Sequence, residues 1–208
     1  MGSTSDFCKD VAAYAASLKG CAEKKDLYKG TIIHVDIVKK GLLQKSCYLG
    51  NALICMYVKC NALIKAKEVL EELPLRDVVS WSTLMSGYNK EGQGEKALSC
   101  FEQMVNEGLS PDVITFTCIL KACGSIGAID KGQKIHKEIL RSGLLGKDAI
   151  LGNALIDMYA KCGMLEKAKH VLGELPNRDV VSWNTIMAGF LQQGQGKNAM
   201  NCFKRMQS

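Results

Sequence analysis

The stretch RDVVSW stands at residues 76–81 and again at residues 178–183, and it contains both tryptophans of the chain, Trp81 and Trp183. The two copies are 102 positions apart. At that offset the chain aligns with itself without a gap, from Val11 on Val113 to the last residue, and about half of the aligned residues are identical. Chance does not produce such agreement over this length, so the chain contains a repeated block.

Each block has a finer period that is typical of amphipathic α-helices. Apolar or small residues recur with the spacing i, i+3, i+4, i+7, which places them on one face of a helix. Three such stripes are Ala66, Val69, Leu70 and Leu73; Ala97, Cys100, Phe101 and Met104; and Gly132, Ile135, His136 and Ile139. Another periodic stretch precedes each of them, so each stripe is the second helix of a pair.

Turn residues separate the two helices of a pair, and prolines follow the second helix. Asn and Gly favour a chain reversal, and Pro stops a helix without breaking it when it lies beyond the last turn. The turn positions are Asn61, Gly92 with Gly94, Gly127 and Gly163, and the prolines are Pro74, Pro111 and Pro176.

The pattern predicts six helix–turn–helix units after a terminal segment at residues 1–10. A single hairpin buries only one stripe of each helix, so it must stack on neighbours to be stable. The expected fold is all-α, an α-solenoid of stacked hairpins with Trp81 and Trp183 wedged between helices. The units are 11–46, 47–77, 78–112, 113–148, 149–179 and, incomplete, 180–208.

The composition is that of a folded protein, with 47% hydrophobic and 23% charged residues. A formal charge of +6 permits an anionic partner such as RNA but does not require one. No apolar run reaches the length of a membrane span. The ten cysteines include no C-x-x-C pair, and we interpret them as reduced, buried small hydrophobes in an intracellular compartment. The first residues do not have the pattern of a targeting peptide. We expect that any such peptide has been removed from this end.

Two short motifs suggest chemistry, but their contexts do not fit. GQGEKA (92–97) matches a dinucleotide-binding fingerprint, which needs a preceding strand, whereas a helical pattern precedes it here. His136-Lys137-Glu138 matches half of a zinc-deaminase motif, but the cysteine half is absent. His34 and His136 fall on apolar stripes, and His170 has no ligand cluster around it. We therefore predict no catalytic residue, metal, cofactor or small-molecule substrate.

The unit VVSWSTLMSGYNKEGQGEKALSCFEQMVNEGLSPD (78–112) resembles a pentatricopeptide repeat. Residues 48–77 resemble the short variant of this repeat, and residues 113–148 resemble the long variant. Their alternation is similar to the plant PLS subclass, which acts in RNA editing in chloroplasts and mitochondria. Tetratricopeptide repeats would have 34 residues and a W-x-x-L-G start, which these units lack. The resemblance covers about residues 11–208.

The resemblance implies a right-handed α-solenoid that binds single-stranded RNA, one nucleotide per unit, running 5′ to 3′ along the chain. The fifth and last residues of each unit would read a base edge, and second-position residues would pack on base faces. The base-reading pairs are Ala15 with Ser46, Asn51 with Asp77, Ser82 with Asp112, Thr117 with Asp148, and Asn153 with Asp179, while Asn184 lacks a partner. The packing positions are Ala12, Tyr48, Val79, Ile114, Ile150 and Val181. The implied preference is 5′-N-U-G-G-U-Y-3′.

The side-chain chemistry agrees with this assignment. Short polar groups suit the Watson–Crick edges of unstacked bases, and apolar groups suit their faces. The alternative is that Asp77, Asp112 and Asp179 only cap the next helix, with Asn51 and Asn153 as ordinary residues near a helix start. A polar pair in almost every unit favours base reading, although Ala15 with Ser46 is a poor pair and long units read less clearly.

Two functions remain open from the sequence. The first is a sequence-specific RNA-binding module of a mitochondrial or chloroplast editing or processing factor, with editing-complex proteins as further partners. The second is a protein-interaction scaffold, because helical-hairpin arrays also bind peptides and proteins. The extension and deaminase-like domains of editing factors are not in this sequence.

Overall fold

The computed structural model describes residues 4–145 and 149–207, which form helices joined by short turns. No strand occurs in this part of the chain, so the predicted all-α fold is confirmed. A short 3-10 helix, Leu43–Lys45, precedes the third α-helix. The α-helices are α1 Thr4–Lys24, α2 Leu27–Lys39, α3 Cys47–Lys59, α4 Leu63–Glu72, α5 Val78–Lys90, α6 Gly94–Asn106, α7 Val113–Ile126, α8 Ile129–Arg141, α9 Ala149–Lys161, α10 Leu165–Glu174, α11 Val180–Gln192 and α12 Gly196–Gln207.

The starts of the odd-numbered helices follow the repeat. Helices α3, α5, α7, α9 and α11 begin at residues 47, 78, 113, 149 and 180, where the predicted units also begin. Helix α1 instead begins at Thr4, before the predicted first unit at residue 11. Residues 4–10 are therefore part of the same 21-residue helix as the start of that unit.

The turns inside the hairpins use left-handed backbone conformations. Asn61 has a φ of 58°, and Gly163, its equivalent in the second block, has a φ of 78°. Asn and Gly tolerate this region better than other residues, so the first helix ends there and the chain reverses.

Gly94, expected in a turn, is instead the first residue of α6. A Cβ atom at Gly94 would lie 2.7 Å from Cγ2 of Ile126, so this position requires the small residue for packing.

The chain divides into two compact units, the first of which comprises residues 1–91 and 100–110. Helix α3 is its centre and packs against α1, α2, α4 and α5. Leu53, Ile54 and Met56 of α3 have no exposed surface. The first helices of successive hairpins thus lie side by side, with α3 between α1 and α5.

The second unit comprises residues 92–99 and 111–208 and has the same internal plan. Helix α9 is its centre and packs against α7, α8, α10 and α11. Leu155, Ile156 and Met158, the equivalents of the three α3 residues, are also fully buried. The repeated sequence therefore produces a repeated core.

Both tryptophans are buried, as predicted. Trp81 is 3% exposed and Trp183 is 7% exposed. The indole Nε1 of Trp81 donates a hydrogen bond to Oε2 of Glu107 at 3.2 Å, and Glu107 also forms an ion pair with Arg76. The fixed interval between the tryptophans thus reflects helix packing.

None of the ten cysteines forms a disulfide, but the prediction that they are all buried was wrong. Four are buried, five are partly exposed, and Cys8 is exposed. Burial raises the pKa of Cys100 and of Cys123 to about 11, which keeps these thiols protonated near neutral pH.

Candidate nucleic-acid interface

In four predicted units the last residue caps the next odd-numbered helix, and these residues are Ser46, Asp77, Asp112 and Asp179. The carboxylate of Asp77 accepts a hydrogen bond from the Ser80 backbone N at 2.7 Å, and Asp179 accepts one from Ser182 at 2.7 Å. Asp112 caps α7 in the same way, and the Ser46 hydroxyl caps α3. The capping alternative is therefore correct as a description of the local structure. Capping also explains why these positions are Asp or Ser.

Capping leaves room for a second role, because two of the predicted base-reading pairs are in direct contact. Asn51 Nδ2 donates to Asp77 Oδ2 at 2.9 Å, while the other oxygen of Asp77 caps α5. Asn153 Nδ2 lies 3.4 Å from Asp179 Oδ1 in the second block. The structure thus joins residues 26 positions apart into one polar group at the start of a helix.

Hydrogen bonds keep these carboxylates ionised. Partial burial raises the pKa of Asp77, but hydrogen bonds from Ser80 and Asn51 outweigh burial and lower that pKa overall. The pKa of Asp179 is also lowered, first by its hydrogen bonds from Ser182 and then by that from Asn153. Each group therefore presents a fixed negative charge and an oriented amide, which can accept and donate hydrogen bonds.

The remaining predicted pairs are less well formed. Ala15 is 6% exposed and has no polar side-chain atom, so it brings no hydrogen bond to Ser46. Ser82 is buried, and its hydroxyl donates to the Val79 carbonyl at 3.2 Å. Thr117 donates to the Val113 carbonyl at 2.7 Å, and its predicted partner, Asp148, lies outside the described residues.

Asn184, the last predicted base-reading residue, is exposed on α11. It is one helical turn beyond the start of α11, as Asn51 and Asn153 are in α3 and α9. The structure therefore places its side chain at the same level of the helix as those two.

The predicted base-packing positions are apolar and exposed. Each is the second residue of an odd-numbered helix, except Ala12, which lies inside the longer α1. Ala12 is also exposed, and the exposed fractions of the other five are Tyr48 64%, Val79 55%, Ile114 62%, Ile150 62% and Val181 56%. Apolar groups left uncovered at one repeated position are available to stack on flat apolar ligands such as nucleobases.

A pocket of about 430 Å³ between α1 and α3 brings these positions together. Its wall includes the packing residues Ala12 and Tyr48 and the base-reading residue Asn51. We call it the α1–α3 slot. The complete set of lining residues is Ala12, Ala15, Ala16, Lys19, Ala22, Tyr48, Asn51, Ala52, Cys55 and Lys59.

Two slot residues, Lys19 and Lys59, were not among the site residues predicted from the sequence. Lys59 is the last residue of α3, and lysines also end α5 and α9, as Lys90 and Lys161. That recurrence was a usable signal, although a cation at a helix C-terminus also has a structural explanation in the helix dipole. Only the slot shows that Lys59 lies beside the apolar and amide groups.

The histidines have structural partners. Nδ1 of His34 lies 2.9 Å from the Tyr57 hydroxyl, and His136 and Tyr159 repeat this contact at 2.9 Å. Both ring pairs pack edge to face with centroids 5.6 Å apart.

In residues 4–145 and 149–207, no three His, Cys, Asp or Glu side chains form a group that could hold a metal ion. The same part of the chain contains no helix that is both long and apolar enough to cross a lipid bilayer.

Comparison with protein families gives a match along most of the repeats. The profile of the PPR repeat matches residues 51–78, 114–144, 153–180 and 181–208, and that of the PPR repeat family matches residues 76–125. Together these matches cover more than half of the chain.

Curated plant proteins are similar over nearly the whole chain. Pentatricopeptide repeat-containing protein At4g25270, chloroplastic, of Arabidopsis thaliana is 35% identical over 93% of the chain. At3g53360, mitochondrial, from the same plant is 36% identical over 98%, and At5g16860 is 37% identical over 91%. The chain spans 37%, 26% and 22% of the lengths of these relatives.

Solved structures share the fold at low sequence identity. The maize pentatricopeptide repeat protein PPR10 matches with a TM-score of 0.74 and 21% identity, over 93% of this chain and 28% of that chain. PPR10 in complex with an 18-nt psaJ RNA element matches with a TM-score of 0.72 and 21% identity, over 93% of this chain and 29% of that chain. These matches show the stacked-hairpin solenoid fold. The repeat profiles, which match more than half of the chain, establish that it belongs to the pentatricopeptide repeat family.

Proposed function

We propose that the chain is a sequence-specific single-stranded RNA-binding module that contacts one nucleotide per repeat. It acts in a plant organellar RNA editing or processing factor of the PLS subclass, where it supplies binding and no catalysis. Some similar plant proteins are named chloroplastic or mitochondrial, which supports an organellar location for the parent protein. Other editing-complex proteins would bind the parent alongside the RNA.

The observation that carries this proposal is the α1–α3 slot. An aromatic packing group, Tyr48, an amide, Asn51, and two cations, Lys19 and Lys59, line one open pocket. A nucleotide presents the complementary set, because it has an apolar base face, a polar base edge and an anionic phosphate. A protein scaffold requires no such combination.

The unpaired acceptor of Asn51 favours a base that can donate a hydrogen bond. Its Nδ2 is bonded to Asp77, while its Oδ1 is buried and has no hydrogen-bond partner among the described residues. An unpaired buried acceptor is costly, so a donor that reaches it gains stability. The imino N–H of uracil is such a donor, in agreement with U at the second position of 5′-N-U-G-G-U-Y-3′.

Binding is tested with a labelled RNA that contains 5′-AUGGUC-3′, measured by fluorescence anisotropy. We expect the chain to bind the single strand more tightly than the same strand annealed to its complement. It should also prefer this RNA to one with the same bases in scrambled order. Equal binding to the single strand, the duplex and the scrambled RNA would exclude a sequence-specific module.

Base specificity is tested by Ser82→Asn. The short hydroxyl of Ser82 leaves room for a purine, whereas the longer Asn amide suits a pyrimidine. We expect the preferred base at the third position to change from G toward U, with a discrimination of about 1–3 kcal/mol and no change at neighbouring positions. The chain already has Asn184 at the equivalent place in α11. Retention of G, or equal weakening for every RNA, would show that Ser82 has a structural role only.

A further inference from the structure

The residues of the α1–α3 slot have equivalents on α7 and α9, where the repeat places Ile150 for Tyr48, Asn153 for Asn51 and Lys161 for Lys59. We call these residues the α7–α9 positions. The base-reading amide and the terminal lysine are identical in the two blocks. Any difference in the ion-pair or hydrogen-bond partners of these residues therefore distinguishes the two blocks.

The two lysines differ in their partners. Lys161 Nζ lies 2.7 Å from Oδ2 of Asp157, four residues earlier on α9. The residue equivalent to Asp157 in α3 is Cys55, which carries no charge. Lys59 is exposed and has no carboxylate within ion-pair distance among the described residues. The ammonium of Lys161 is thus already paired with a carboxylate, whereas the ammonium of Lys59 can bind a phosphate.

The two amides also differ. Asn153 Oδ1 accepts a hydrogen bond from the Ser182 hydroxyl at 2.6 Å, whereas Asn51 Oδ1 has no partner. In the first block the equivalent hydroxyl, that of Ser80, donates to the Asp77 backbone carbonyl at 2.7 Å. The amide oxygen is therefore unpaired in one block and already bonded in the other.

We infer that Asp157 lowers the affinity of the α7–α9 positions for nucleotide phosphate, so that the α1–α3 slot binds RNA more tightly than the α7–α9 positions do. This inference rests on the proposed RNA-binding function. A phosphate that approaches Lys161 must displace the Asp157 carboxylate or lie beside it, and like charges repel. Ser182 adds to the difference because its hydrogen bond already uses one of the two lone pairs of Asn153 Oδ1.

The alternative is that Asp157 and Lys161 only stabilise α9. Pairs at i and i+4 on a helix do so weakly, and side chains that are 37% and 42% exposed are well screened. A purely stabilising pair would change the unfolding midpoint and leave RNA affinity alone. RNA affinity and its salt dependence therefore distinguish the two roles.

The test exchanges the charge between the blocks. Asp157→Asn removes the charge and keeps the shape, so we expect about threefold tighter binding of the 5′-AUGGUC-3′ RNA in low salt, the Coulomb effect of one charge about 6 Å away in water. The slope of log affinity against log salt should steepen by about 0.7, which is one more phosphate contact on a single strand. Cys55→Asp should change both quantities in the opposite direction, and Cys55→Ser is its uncharged control.

Circular dichroism verifies that each variant is folded before binding is measured. If Asp157→Asn leaves both the affinity and the salt slope at the wild-type values, the inference is wrong and the proposed function stands. If the wild-type chain does not prefer single-stranded RNA to duplex, the proposed function fails and the inference fails with it.

Discussion

At the residue scale, Asp77 shows how capping and base reading can coexist. One carboxylate oxygen caps α5 and the other accepts from Asn51, so the two roles use different atoms of one side chain. The sequence alone presented these roles as alternatives. They could not be resolved there, because the contact with Asn51 depends on how α3 packs beside α5.

Asp77→Ser separates the two roles. Serine is as good an N-cap as aspartate, and Ser46 already caps α3, but serine lacks the second oxygen that holds Asn51. We expect the free energy of unfolding in urea to change by only a few tenths of a kcal/mol, while the preference for U at the second RNA position is lost.

Asp77→Ala is the matched comparison, because it removes the cap as well and should cost about 1 kcal/mol of stability. If Asp77→Ser keeps the wild-type preference for U, Asp77 acts only as a cap.

The partly buried histidines His34 and His136 predict a loss of stability in mild acid. Burial lowers the pKa of His34 and His136; Glu72 and Glu174, respectively, oppose this shift, and nearby cations add to it. A histidine in the unfolded chain titrates near pH 6.5, so between that pH and the lower folded pKa only the unfolded state binds the proton. Stability is therefore complete above about pH 6.5 and falls as the pH drops through that value.

Urea unfolding at pH 7.5 and pH 5.5 measures this effect. The double variant His34→Gln with His136→Gln keeps a hydrogen-bonding group beside each tyrosine but cannot titrate. We expect it to be much less sensitive to pH than the wild type. Equal pH dependence of the two proteins would mean that the packed rings do not control acid stability.

At the element scale, the sequence predicted the helices well because each has local signals. N-cap residues precede α3, α5, α7 and α11, and an Asn or Gly follows α3, α5, α7, α9 and α11, so these helix limits are encoded within a few residues. The start of α1 at Thr4 was missed because no repeat partner covers residues 1–10. The α1–α3 slot was also missed, since Lys19 and Lys59 meet Tyr48 only when two helices lie side by side.

Ala168→Pro tests whether a second helix is needed for its hairpin. Ala168 is fully buried in α10, and its N–H bonds to the Met164 carbonyl at 3.0 Å. Proline removes this bond and its ring clashes with that carbonyl, so we expect a loss of about 3 kcal/mol or more. Ala168→Gly keeps the N–H and should cost about 1 kcal/mol. Thermal melts followed by circular dichroism give both values, and equal costs would show that α10 tolerates the break.

At the scale of the whole molecule, the chain carries 27 basic and 21 acidic residues. This excess is small, so affinity for RNA must come from where the charges lie. Lys59 and Lys90 each end an odd-numbered helix, and neither has a carboxylate within ion-pair distance among the described residues. They recur at the same helix position, which suits a ligand with regularly spaced phosphates.

The salt dependence of binding tests this electrostatic account and separates the two candidate functions. Each phosphate contact to a single strand contributes about −0.7 to the slope of log affinity against log salt, so two lysine contacts give about −1.4. Lys59→Gln with Lys90→Gln should flatten the slope by that amount and weaken binding most at low salt. The expected affinity is weak to moderate, because the sequence predicts only six repeats in this chain. An interaction that does not change with salt would instead favour a protein-interaction scaffold, in which exposed apolar side chains such as Tyr48 and Ile150 pack against a partner protein.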